Sequence, residues 1–240
     1  MTGWALLRQV VLATGDIAGD AKLLRDHLGL GAGFADPELA TIGMSDETMA
    51  LAGGSYLELV GALTPDVSIA RWLAKTGGGG YALSVQHSDP IAARDRAIAR
   101  GVRIVADQAV MGHPIVQFHP ADVGLLLELD GIADRDAWFW DGMGVDPSPS
   151  ALVDDVVRVD VGVADPAATV TLWAEILGYP ALSWESIDLG GRVVHFHPLA
   201  DTPKWTITLR RSAFGGSGQP PRSPRALRDE DLLGVRFRYR

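Results

Sequence analysis

The stretch LRQVVLATGDIAGDAKLLRDHLG, residues 7–29, decides the fold, because the chain repeats it. Leu7 to Thr14 reads as an apolar strand, and Asp16 stands where a side chain can cap the N–H groups opening a helix. Leu28-Gly29 ends that helix with the residue suited to a left-handed cap. Residues 156–178, VVRVDVGVADPAATVTLWAEILG, repeat the order, and Asp16 to Gly29 and Asp165 to Gly178 are both thirteen residues apart. A further copy begins at Tyr81 (YALSVQ), has Asp89-Pro90 at its cap and first turn, and ends its helix near Arg100-Gly101.

Short β-type segments follow each helix. They are Leu39–Met44, Thr48–Ala52 and Ser55–Val60 in the first copy, and Arg103–Val105, Ile115–Phe118 and Leu125–Leu129 in the middle one. The last copy offers Ala181–Ile187, Arg192–His197 and Trp205–Leu209, and a final strand, Leu233–Tyr239, stands alone. The predicted class is α+β: repeated βαβββ modules forming a curved mixed-sheet cup with helices on the outer face. Residues 1–133 are expected to hold a pair of modules, 134–149 a connector, and 150–240 a third, degenerate module with an extra C-terminal strand. A lone module leaves an apolar sheet face open, so the unpaired third copy predicts a homodimer.

Composition narrows the function classes. The chain has 240 residues, 47% hydrophobic and 21% charged, which is ordinary for a soluble globular protein. A net charge of −9 argues against nucleic-acid binding. Eight arginines between Arg210 and Arg240, against Asp229, Glu230 and Asp231, read as a solvated surface. With no cysteine there is no disulfide or thiolate metal site, and with no apolar run near the roughly 20 residues a bilayer requires, no membrane partner is expected. A cytoplasmic location is predicted.

Three segments carry a resemblance: Gln9–Asp16 (QVVLATGD), Tyr56–Tyr81 (YLELVGALTPDVSIARWLAKTGGGGY) and Phe118–Leu129 (FHPADVGLLLEL). They resemble the vicinal oxygen chelate superfamily, the glyoxalase and bleomycin-resistance fold, nearest in pattern to methylmalonyl-CoA-epimerase-type members. The resemblance implies a cup with a divalent metal held by one side chain from each of four strands. Those places fall on Gln9, Glu58, Gly80 and Glu128, or on Tyr81 in place of Gly80 if the strand slides by one. Both imidazoles usual in such families are missing, so no cofactor is assigned; an oxygen set of this kind would suit Mg or Mn.

Strand alternation is consistent with a polar pocket. Glu58 shares a face with Tyr56 and Val60, Ala82 with Ser84 and Gln86, and Glu128 opposes Leu127 and Leu129. The expected ligand is a small organic molecule. Glu58 and Glu128 are the candidate acid/base pair of an isomerase or lyase, abstracting and returning a proton next to a carbonyl, with Gln9 positioning an oxygen. Tyr56, Ser84, Gln86 and His119 are candidate substrate contacts. The alternative is a metal-free binding or sequestering protein of the resistance type, without catalysis. A regulatory or scaffolding dimer is a third reading.

Other features read as structural. His119 and His197 precede proline in matching turns, His195 and His197 share a strand face without a third ligand, and His27 and His87 look like surface positions. The run Gly77–Gly80 lacks a GK[ST] ending and reads as close backbone passage into a strand rather than a phosphate loop. Trp138, Phe139 and Trp140 read as packing residues.

Overall fold

The computed structural model describes residues 3–201, 203–213 and 227–240. In chain order the elements are β1 (Ala5–Ala13), α1 (Ile17–Leu28), α2 (Pro37–Thr41), β2 (Met44–Ala50), β3 (Tyr56–Ala62), α3 (Ser68–Thr76), β4 (Gly79–His87), α4 (Pro90–Ala99), β5 (Ile104–Val110), β6 (His113–Phe118), α5 (Pro120–Val123) and β7 (Leu126–Asp130). There follow β8 (Val153–Val163), α6 (Pro166–Leu177), β9 (Ser186–Asp188), β10 (Val193–Pro198), β11 (Trp205–Arg211), β12 (Glu230–Leu232) and β13 (Val235–Tyr239). The described strands belong to two mixed sheets, one of seven strands and one of six. The class is α+β, built from repeated modules.

The caps explain why three segments repeat. Asp16, Asp89 and Asp165 accept hydrogen bonds from the N–H groups of Gly19, Ala92 and Ala168 at 3.0, 2.9 and 3.0 Å. Gly29 and Gly178 close α1 and α6 in the left-handed region, at φ 72° and 63°. In the middle and last copies the first strand runs parallel to a later one, β4 to β7 and β8 to β10, and in the C-terminal group β11 runs parallel to β13. That last group also contains an antiparallel β12–β13 pair.

Several expectations need correction. Leu39–Met44 is not a strand: Asp36 accepts from the Glu38 N–H and Pro37 opens α2, so an Asp-Pro start overrides the local β pattern. Ala181–Ile187 shrinks to Ser186–Asp188, because Ser183 to Ser186 form a turn held by the Glu185 N–H on Ser183 Oγ. The final strand is half of a hairpin. Leu233 and Gly234 both take positive φ, 51° and 74°, as a two-residue turn matched to the twist of its strands requires. α3 is an amphipathic helix ending at Gly77 that the strand reading passed over.

The chain divides into two compact units, one of Met1–Gln9, Ala82–Phe139 and Arg158–Trp205, the other of Val10–Tyr81, Trp140–Val157 and Thr206–Arg240. In the first, α4 and α6 pack together. Trp173 is fully buried, meets Phe196 edge-on at 5.1 Å, and donates from Nε1 to the Val123 carbonyl at 2.9 Å. His87, read as a surface residue, is buried here: its Nδ1 accepts from the Asp89 N–H, so Nε2–H donates to the Leu177 carbonyl at the end of α6. Burial lowers its pKa, as a neutral ring in that role requires.

In the second unit α1 packs on the β2–β3 hairpin, with Arg25 of α1 paired to Glu47. Gly77, Gly78 and Gly79 all take positive φ, and a Cβ on Gly78 would meet the Ala13 carbonyl oxygen at 2.9 Å, so the glycine run serves close backbone passage. The described tail arginines are solvated or paired: Arg210 reaches Asp154 at 2.7 Å and Arg236 pairs with Asp231. Arg222 and Arg225 lie outside the described residues.

Candidate functional site

In the second unit the hairpin register puts Ala50 opposite Tyr56, Thr48 opposite Glu58 and Asp46 opposite Val60. These six share one face, while Glu47 turns to α1 on the other. Asp46, Thr48, Tyr56 and Glu58 are all buried. One carboxylate oxygen of Asp46 accepts the Asp36 N–H at 2.8 Å. Burial lifts this carboxyl from its ordinary 3.8 to about 6, against the opposing pull of that hydrogen bond. Asp46 was not among the expected site residues. The signal was available in the alternation Asp46, Thr48, Ala50, but it becomes legible only once the Gly53-Gly54 turn sets β2 against β3.

In the first unit Glu128 lies between Ser84 of β4 and Gln117 of β6. Gln117 Nε2 donates to Glu128 Oε2 at 2.5 Å. Burial raises the Glu128 pKa and this bond lowers it, burial being the larger effect. Ser84 donates its hydroxyl to Asp130, two residues along the same face of β7.

Two expected contacts are engaged by the chain itself. Gln86 is fully buried; its oxygen accepts from Arg8 Nε at 2.7 Å, and its nitrogen donates to the carbonyls of Ile132 and Asp134 at 3.0 and 2.7 Å. It anchors the segment after β7. His119 caps α5, Nδ1 accepting from the Ala121 N–H at 3.2 Å, which is the turn role its Pro neighbour suggested. Gln9 is buried, and its side-chain oxygen accepts from Trp138 Nε1 at 2.9 Å.

The repeat now fixes which positions correspond. Gln9, Ala82 and Arg158 each stand seven residues before a capping aspartate. Two residues further along, Ser84 faces Glu128 and Asp160 faces His195. In the first copy Val11 holds that place before Asp16, and the Thr14 N–H donates to the carbonyl of Val60, two residues beyond Glu58 on the adjacent β3. Glu58, Glu128 and His195 are therefore equivalent places in three copies of one module. The fold is that of the vicinal oxygen chelate superfamily. Within this fold Ala82, rather than Gly80 or Tyr81, corresponds to Gln9.

Solved structures similar to this chain include methylmalonyl-CoA epimerase from Mycobacterium tuberculosis, at 28% identity over 52% of this chain and 85% of that chain, with a TM-score of 0.47. Streptomyces coelicolor methylmalonyl-CoA epimerase in complex with 2-nitronate-propionyl-CoA matches at 25% identity over 52% and 95%, with a TM-score of 0.46. A hypothetical protein from Bacillus halodurans matches at 21% identity over 52% and 93%, also at 0.46. No family model and no curated protein matches the chain.

The vicinal oxygen chelate fold raises the question of a metal. The donor set here does not fit one well. Ala82 offers no donor at the place equivalent to Gln9, and Gln9's own oxygen holds Trp138. Among the described residues no group of three or more His, Asp or Glu side chains is arranged to hold an ion. No described helix is long and apolar enough to cross a membrane.

Proposed function

We propose that the protein binds a small organic molecule and moves a proton on it, as an isomerase or lyase does. One carboxylate takes a proton from a carbon next to a carbonyl, and a second carboxyl returns it. Glu58, with Tyr56 orienting the substrate and Asp46 on the same face, is the proposed proton-carrying group of the second unit, and Glu128, with Gln9 orienting the substrate, that of the first. The observation that carries this reading is the buried, acid-bearing strand face in each unit. A carboxyl held near 6, like that of Asp46, exchanges protons close to neutral pH, and the raised pKa of Glu128 favours its role as acid. Gln117 holds Glu128 from the neighbouring strand.

The test uses methylmalonyl-CoA, a compound bound by one of the similar solved structures, as a carbonyl-adjacent C–H probe. In D2O the wild-type protein is expected to wash deuterium into the α-position, followed by NMR, and Glu58→Gln to lose that exchange while still binding the thioester. Binding without exchange in the wild type would instead favour the metal-free sequestering reading. No exchange and no binding would remove this substrate class.

A further inference from the structure

The third copy presents a polar face of its own. α6 packs against β9 and β10, and Val194 and Phe196 of β10 are buried opposite Val159 and Val161 of β8. Arg158, Asp160, His195 and Ser186 share the other side, His195 lying opposite both Asp160 and Ser186. This module has thus exchanged the glutamate of its two relatives for an imidazole and added a guanidinium one strand away.

The donors and acceptors are unevenly matched. Arg158 places Nε and Nη2 on one oxygen of Asp160, at 2.7 and 2.6 Å, leaving Nη1 for another acceptor on a side chain that is 32% exposed. Asp160 is more than nine-tenths buried, yet its second oxygen has no hydrogen-bond partner. A buried acceptor in that state costs free energy until a donor reaches it. Ser186 Oγ lies 2.9 Å from His195 Nδ1, so Nε2 is the ring nitrogen left to act outward. Burial and the Arg158 charge lower the His195 pKa, against weaker pulls from Asp160 and Glu185.

We propose that this face is a second ligand site, taking a small carboxylic acid that carries a hydroxyl or amino group on the adjacent carbon. The ligand carboxylate meets Arg158 Nη1 and the His195 Nε2–H, and its O–H or N–H donates to the second oxygen of Asp160. Asp160 and Glu185 disfavour a multiply charged anion such as phosphate. Arg158, Asp160 and His195 form this site, and none of the groups assigned to the proposed reaction takes part in it.

Full-length protein labelled with 15N-histidine is titrated separately with glycolate, glycine and acetate, and ring cross-peaks are assigned through His195→Asn. Glycolate or glycine is expected to shift the His195 signal saturably, and to bind about tenfold more tightly than acetate, which lacks the second donor. Glu58→Gln is expected to keep this shift, whereas Arg158→Lys and Asp160→Asn lose it with near-UV circular dichroism unchanged. Equal binding of acetate overturns the role of Asp160. No saturable shift with glycolate or glycine, or shifts of the same size at His27 and His119, overturns the site itself. The comparison of three probes on the wild type decides the matter even if a variant fails to fold.

Discussion

Replacing Asp46 by asparagine is expected to stabilise the protein at neutral pH and to flatten its stability curve on the acid side. Asp46 is 4% exposed, and burial lifts its carboxyl from 3.8 to about 6. The folded protein then keeps a proton at pH values where the unfolded chain has released it. That contribution to stability is complete below about pH 4 and is lost as the pH climbs through about 6, when the buried group must ionise. A displacement of about two pH units at 1.36 kcal/mol each corresponds to about 3 kcal/mol. Asparagine keeps an oxygen for the Asp36 N–H and has no charge to bury. Urea unfolding at about pH 4 and about pH 7 measures the effect: the unfolded group is already about half ionised at the lower pH, so the wild type should lose about 2 kcal/mol more than Asp46→Asn between the two. Parallel curves for both proteins would refute the argument, because other titrating groups are common to both and cancel in the comparison.

Three further outcomes follow from the packing. Gly78→Ala, at φ 113° and with its new Cβ 2.9 Å from the Ala13 carbonyl oxygen, should cost about 1–3 kcal/mol, seen as a lower thermal midpoint. Trp173→Ala empties the contact with Phe196 and frees the Val123 carbonyl, so a loss of about 3–5 kcal/mol is expected in urea unfolding. Gln86→Ala leaves Arg8 Nε and the carbonyls of Ile132 and Asp134 without this partner. It should cost at least about 2 kcal/mol and speed amide exchange across residues 131–135; unchanged exchange there would show that Gln86 does not anchor the segment.

The candidate site was only partly legible in the chain. Tyr56 could be assigned to one strand face with Glu58, and Ser84 to one with Gln86, because alternation along a strand needs only neighbouring residues. Asp46 escaped notice because its place depends on which residue of β3 it faces. Gln86 shared the expected polar face, but its partners lie 78, 46 and 48 residues away, so its anchoring role was invisible locally. His87 looked exposed for the same reason: the carbonyl it caps belongs to Leu177, 90 residues on.

By itself the sequence determined the repeat, its strand–helix order and the helix starts, since an aspartate cap and a closing glycine act on N–H and C=O groups within a few residues. Tertiary structure decided which strand residues face one another across a sheet, and so that Glu58, Glu128 and His195 occupy one equivalent place. Register between strands and the burial that moves a carboxyl's pKa arise only when distant segments meet, and no local pattern encodes the energy of that meeting.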